Sequence, residues 1–208
     1  MILNEAAASD IPGLVALVNS AYRSPRAMAG WTDERGSLEG PRTGKQAILT
    51  ALGKSRMKVA RPSSGTNPVP CIHIALGEDR DWYLSLLAVA PDQQGKGVGG
   101  ALLEDVARQA SESGIRHLRI TAIRQSRDLI AWYEARGFRS TGETVCFPYD
   151  DPSVGRPLRN DLELIALERL LPSRSAASDR RAIFAKKRIH DGPPDDREGR
   201  TLMGIGEA

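Results

Sequence analysis

The run Leu86-Leu87-Ala88-Val89-Ala90-Pro91-Asp92-Gln93-Gln94-Gly95-Lys96-Gly97-Val98-Gly99-Gly100-Ala101-Leu102-Leu103 constrains this chain more than any other stretch. An apolar, strand-like segment ends at Val89, a glycine-dense turn follows, and a helical pattern begins. Glycines let successive N–H groups face inward with no Cβ in the way. The start of the helix adds partial positive charge, and Lys96 adds a full one. Such a turn is a seat for a phosphate or pyrophosphate. Two common phosphate seats do not fit. Gly95, Gly97 and Gly100 spell G-x-G-x-x-G, but the dinucleotide fingerprint wants a carboxylate about 20 positions on, at the end of the next strand. Thr121-Ala122-Ile123-Arg124 offers none. The Walker loop fails as well, because Lys96 is followed by Gly97 rather than Ser or Thr.

The elements around this turn read as a mixed α/β sheet. A short strand opens the chain. Ser9 is placed to cap a helix with Pro12 in its first turn, and Ile11, Leu14, Val15, Val18, Ala21 and Tyr22 recur at helical spacing. Residues 24–43 are rich in Gly, Pro, Arg and Ser and read as a loop or broken helix, followed by a short helix over 45–52 and a strand over 57–60. Three prolines mark 61–70 as a loop. The β-branched alternation of 71–76 and the run 82–89 predict a hairpin. A helix over 97–112 with Gly114 as its stop, a strand over 117–123, a helix over 127–136 stopped by Gly137, and strands over 139–147 and 161–170 complete the order. From Pro172 onward Asp, Arg, Pro, Gly and Ser dominate. We read 1–171 as one domain and 172–208 as a polar, disordered tail. Its basic run from Arg180 to Arg188 reads as a solvated segment.

Composition narrows the function. The 208 residues are 40% hydrophobic but 5% aromatic, so the core rests on Leu, Ile, Val and Ala. No apolar stretch approaches the roughly 18 residues of a membrane span, and the opening Met1-Ile2-Leu3-Asn4-Glu5 carries no secretory signal. Cys71 and Cys146 lie far apart with no Cys or His at ligand spacing. They read as reduced, mostly buried thiols of a cytoplasmic protein with no metal site. A net charge of +3 does not by itself call for nucleic acid.

A strand ending Leu-Ala-Val, then Gln94-x-x-Gly97-x-Gly99, resembles the acyl-CoA signature of the GNAT superfamily of N-acetyltransferases. Ala131-Trp132-Tyr133-Glu134-Ala135-Arg136-Gly137-Phe138 resembles the family's Tyr-x-x-x-Gly-Phe helix end, in the right order and at the right distance. The resemblance covers 1–171. It implies a mostly antiparallel, splayed sheet flanked by helices, with acetyl-CoA as cosubstrate and a small-molecule or peptide amine as acceptor. It also allows a homodimer. Carried over, Leu87, Ala88 and Val89 hold the pantetheine arm, with the Val89 N–H polarising the thioester carbonyl. Gln94, Gly95, Lys96, Gly97, Val98, Gly99 and Gly100 wrap the pyrophosphate, and Tyr133 acts as general acid to the departing thiolate. Trp132 and Phe138 read as core.

The chain departs from the family in two places. Ser126, carried over as cofactor-binding, stands where many members have Asn, and its hydroxyl can still hydrogen-bond but constrains cofactor or backbone more weakly. No glutamate lies on Leu118–Ile123 to serve as general base, leaving Glu34 and Glu163 as weak candidates. Trp31, Glu34 and Phe147, with Pro148 and Tyr149 beside it, are candidates for the acceptor side, and Arg42 for an acceptor carboxylate. The alternative to catalysis is a non-catalytic acyl-CoA-binding sensor or scaffold.

Overall fold

Strand β1 (Asn4–Glu5) leads into helix α1 (Ile11–Arg23), whose buried face is Ile11, Leu14, Leu17, Val18, Ala21 and Tyr22. The structure, a computed structural model, describes residues 3–24, 32–60, 70–77 and 81–172. Trp31 and the tail from 173 onward therefore lie outside the described residues, as does most of the proline loop. The expected Ser9 cap is not used. Asp10 instead precedes the helix, and its carboxylate accepts from the Ala7 N–H at 2.8 Å.

Next come β2 (Leu38–Glu39), α2 (Lys45–Lys54), β3 (Arg56–Val59), β4 (Pro70–Leu76) and β5 (Asp81–Val89). They are followed by α3 (Val98–Glu112), β6 (His117–Ile123), α4 (Arg127–Glu134), β7 (Arg139–Cys146), β8 (Arg156–Pro157) and β9 (Glu163–Leu170). Seven strands form one sheet in the order β1-β3-β4-β5-β6-β9-β7. Every neighbouring pair is antiparallel except β5 and β6, which run parallel across α3. The expected hairpin is β4–β5. Gly114 and Gly137 both end their helices at positive φ, 76° and 84°. The loop-like 24–43 region contributes β2, which pairs with β8 in a two-stranded ribbon that sequence periodicity did not indicate.

The single parallel contact is short. Only Asp81, Trp82 and Tyr83 pair with β6, opposite His117, Leu118 and Arg119. Asp81 pins this end: its carboxylate meets His117 Nδ1 and Arg119 Nε, each at 2.8 Å. Beyond Tyr83 the two strands part.

In the same stretch β5 carries a bulge. Cys71 pairs with Ala88 but His73 with Ser85, so β5 holds one residue more than β4. Leu86 takes up the irregularity at φ 49°, a left-handed conformation rare for a non-glycine residue. The extra residue switches which positions face which helices. Trp82 and Leu84 pack with α3 and α4, and after the bulge so do Leu87 and Val89. Ala88 faces the α1–α2 cluster with Leu14, Val18, Ile48 and Cys71. Two apolar clusters thus sandwich the sheet, as layered α/β packing requires. Cys71 is buried as expected, but Cys146 is exposed, because it ends the edge strand β7, nearly all of whose residues face solvent.

Candidate active site

Where β5 leaves β6, its backbone carbonyls must find other partners. Side chains supply three of them. Cys71 Sγ donates to Leu86 O at 3.5 Å, Tyr22 Oη to Leu87 O at 2.8 Å, and Gln94 Nε2 to Val89 O at 3.0 Å. These bonds hold the bulged end of β5 in place where β4 still pairs with it but β6 has parted.

Against this end of β5 lies a cavity of ≈ 230 Å³. Leu87 and Val89 form one wall, Leu129, Trp132, Tyr133 and Arg136 of α4 and its exit another, and the turn from Gln94 to Gly100 one end. Thr32 closes another part of the rim, fixed by its hydroxyl donating to Ala21 O at 2.8 Å. Gly95 and Gly97 turn the chain at φ 75° and 80°, which only glycine adopts without strain. A Cβ on Gly99 would lie 3.4 Å from both Val89 Cγ2 and Trp132 Cζ2. The missing side chain keeps β5 and α4 open to each other beside the start of α3, where unpaired helix N–H groups favour an anion.

Tyr133 is buried, with its ring edge-on to Trp132 and Phe138 at 5.0 and 5.3 Å between centroids. Its hydroxyl makes no hydrogen bond to a described residue. Burial pushes its pKa well above the ordinary phenol value, so it holds its proton at neutral pH. Tyr22 is likewise buried and raised, with Tyr133 among the groups acting on it.

Most of the sequence-derived residues converge here: Leu87, Val89, Gln94, Gly95, Gly97, Val98, Gly99, Gly100 and Tyr133 all line the cavity. Several do not. Ala88 points its side chain toward α1. Lys96 is exposed, with Nζ 3.5 Å from Gln93 Oε1. Ser126 holds the N-cap position of α4, where its backbone carbonyl accepts from the Ile130 N–H and its hydroxyl makes no cap bond, and it is outside the cavity lining. Phe147 is buried in a separate small cluster with Leu38, Ile123 and Leu162. Glu34 is not a surface charge but is 13% exposed and ion-paired with Arg23 and Arg42. Glu163 is half-exposed and paired with Arg124 at 2.6 Å. No carboxylate or imidazole is among the described lining residues.

Four lining residues were not anticipated: Thr32, Leu129, Trp132 and Arg136. Trp132, expected in the core, is partly exposed and forms cavity wall. Arg136 stacks its guanidinium 3.7 Å over that indole and donates from Nη1 to Trp132 O at 2.8 Å. It is the cation that lines the cavity among the described residues, in place of Lys96. A Cβ on Gly100 would lie 3.2 Å from Arg136 Nε, so the glycine also gives this side chain its room.

Residues 50–148 match the family model of the acetyltransferase (GNAT) domain, which spans β5, the glycine turn, α3 and α4. The class the fold defines is an α/β protein with a mixed, mostly antiparallel sheet that parts beside a glycine-rich turn. Over residues 50–148, just under half of its length, the chain carries a GNAT acetyltransferase domain. Solved structures share the fold. The ribosomal-protein-S18-alanine N-acetyltransferase from Escherichia coli is 17% identical, with a TM-score of 0.60 over 82% of this chain and 93% of its own. A ribosomal-protein-alanine N-acetyltransferase from Brucella melitensis is 21% identical, with a TM-score of 0.60 over 82% and 100%. A GNAT family acetyltransferase from Elizabethkingia anophelis, solved with acetyl-CoA bound, is 23% identical, with a TM-score of 0.54 over 62% and 84%. No curated protein sequence matches the chain. Among the described residues no helix is long and apolar enough to cross a membrane.

Proposed function

We propose that residues 1–171 form an N-acetyltransferase domain that passes an acetyl group from acetyl-CoA to a primary amine of a small molecule or peptide. Transfer is by direct attack in a ternary complex, and 172–208 is a tail outside that domain. The observation that carries this reading is the cavity itself: an opened, bulged strand end, a glycine turn at a helix start, and a buried phenol whose hydroxyl has no described partner, all facing one space. The cradle fits a diphosphate, since Gly99 and Gly100 leave room that side chains would fill and Arg136 adds a cation.

Acetyl-CoA supplies an acetyl group activated as a thioester. The chain's own groups position and stabilise. The amides from Gly95 to Gly100 grip the diphosphate, with Arg136 beside them. The Val89 N–H is aimed at the carbonyl oxygen as negative charge develops there. The amine nitrogen forms the new C–N bond as the C–S bond breaks, and the thiolate takes the Tyr133 proton. The amine proton leaves to water, because no carboxylate or imidazole lines the described cavity. Neither cysteine enters. Cys71 is buried on the α1 side of the sheet and Cys146 lies on the edge strand.

The test is thiol release from acetyl-CoA by the purified chain over a panel of primary amines, alongside calorimetry with CoA. Binding with release for some amines supports the reading. Binding with release for none supports the sensor alternative, and no binding removes both.

A further inference from the structure

Beside Tyr22, three charged side chains form a cluster whose charges do not cancel. Arg23, at the end of α1, donates to Glu34 Oε2 from Nε at 3.0 Å and from Nη2 at 2.8 Å. It also donates to the carbonyls of Gly40 and Val154, and its side chain is 5% exposed. Arg42 Nε lies 3.3 Å from the same Oε2 but makes no hydrogen bond, although the atom is buried. Its two Nη groups have no hydrogen-bond partner among the described residues. Two guanidiniums therefore share one carboxylate, leaving an excess of one positive charge. The neighbouring acids are engaged elsewhere, Asp33 with Arg35 and Glu39 with Arg156. The segment 25–31, Pro-Arg-Ala-Met-Ala-Gly-Trp, contains no carboxylate.

Arg42 is also held in place. Asn19 Oδ1 accepts from the N–H groups of Arg42 at 2.6 Å and Thr43 at 3.1 Å, while Asn19 Nδ2 donates to Thr43 O at 2.9 Å. The Arg42 guanidinium sits 5.5 Å from the centre of the Tyr22 ring, whose hydroxyl bonds Leu87 O in the cavity wall. These contacts put the charge within roughly 11 Å of Leu87 O by ordinary covalent dimensions. The tie between α1 and the 34–40 segment is already made by Arg23, so Arg42 adds no hydrogen bond to it. A guanidinium partly withdrawn from water, fixed at its backbone and with its Nη fork unpaired, is arranged for a planar anion.

We propose that Arg42 receives a carboxylate of the acceptor, so that the preferred substrates are amines bearing a carboxylate a short chain away from the reacting nitrogen. This rests on the N-acetyltransferase reading and narrows its acceptor.

The experiment compares ω-amino acids from β-alanine to 6-aminohexanoate with alkylamines of matching length, measuring kcat/KM by thiol release. At least one ω-amino acid should exceed its alkylamine tenfold or more. That ratio should fall to near one in Arg42→Gln and be partly kept in Arg42→Lys, which also serves if the glutamine variant fails to fold. A ratio near one for every pair in the unsubstituted chain, or a ratio untouched by Arg42→Gln, overturns the proposal. If no pair turns over, calorimetry on the CoA-saturated chain reads the same ratio as binding, and equal affinities overturn it equally. CoA affinity separates the two layers. Loss of CoA binding in the unsubstituted chain sinks the acetyltransferase reading and this one with it. CoA bound with no carboxylate preference sinks this one alone.

Discussion

Replacing Gly99 with alanine should make the protein more stable and a poorer binder of CoA. Gly99 lies in the first turn of α3 with ordinary helical geometry, not at positive φ. Alanine is favoured over glycine in a helix by about 1 kcal/mol. The added Cβ would sit 3.4 Å from Val89 Cγ2 and Trp132 Cζ2, which is ordinary contact and no clash. Up to about 1 kcal/mol in a chain of this size raises Tm by roughly 2–4 °C. The same methyl stands between β5 and α4, in the cavity's throat. If it moves a phosphate off one backbone amide, the lost charge-assisted bond costs about 1.5–3 kcal/mol, or about 10- to 100-fold in Kd. Gly97→Ala is the contrast. Nothing lies within 4 Å of its Cβ, but φ is 80°, so strain of roughly 1–2 kcal/mol lowers Tm. Differential scanning calorimetry gives the stabilities and titration calorimetry gives the CoA affinities. A Gly99→Ala chain that melts higher and binds CoA unchanged would refute the assignment of this turn as the diphosphate seat.

Tyr133→Phe should lower kcat on the order of 10²-fold while leaving CoA affinity and Tm nearly unchanged, since the hydroxyl bonds no described residue; stopped-flow thiol release and melting curves check both, and an unaltered kcat removes Tyr133 from the chemistry. With no acid or imidazole in the described cavity wall, kcat/KM should rise with pH toward the pKa of the acceptor amine. Burial raises the Tyr133 pKa, so the protonated acid persists and activity should not fall until above about pH 10; a plateau set by a group titrating near 7 that is independent of the amine would contradict this. Of the two thiols, Cys146 should react quickly with Ellman's reagent in the folded chain, whereas Cys71, buried and pushed to about 12, should react only on unfolding. Equal rates for both would place Cys71 wrongly.

The parts of the fold that repeat were readable from sequence. The helical spacing from Ile11 to Tyr22, the β-branched hairpin of 71–89 and the glycines at 95, 97 and 99 each encode local structure directly. What escaped depends on contacts between distant segments. The two-residue strands β2 and β8 are too short to show a period, and they exist because Leu38 and Pro157 meet across the ribbon. The bulge at Leu86 sits in Leu86-Leu87-Ala88, where no glycine marks it, so the sequence could not tell which of these faces the cavity. Lys96 stands within the motif and looked like the cation, whereas Arg136, thirty-six positions after Gly100, reaches that glycine only because the end of α4 meets the first turn of α3. Charge signs along the chain could not show that Glu34 is shared between Arg23 and Arg42, a matter of three segments converging.

Only three residue pairs, the first anchored by Asp81, join β5 to β6, and the two halves of the sheet part beyond them. Whatever lodges against the parted end of β5, beside the glycine turn and α4, completes an interior that the polypeptide leaves unfinished. Its occupancy is then part of the folding equilibrium, adding RT ln(1 + [L]/Kd) to the native state. Cellular levels of that ligand would set how long the protein survives as well as how fast it works.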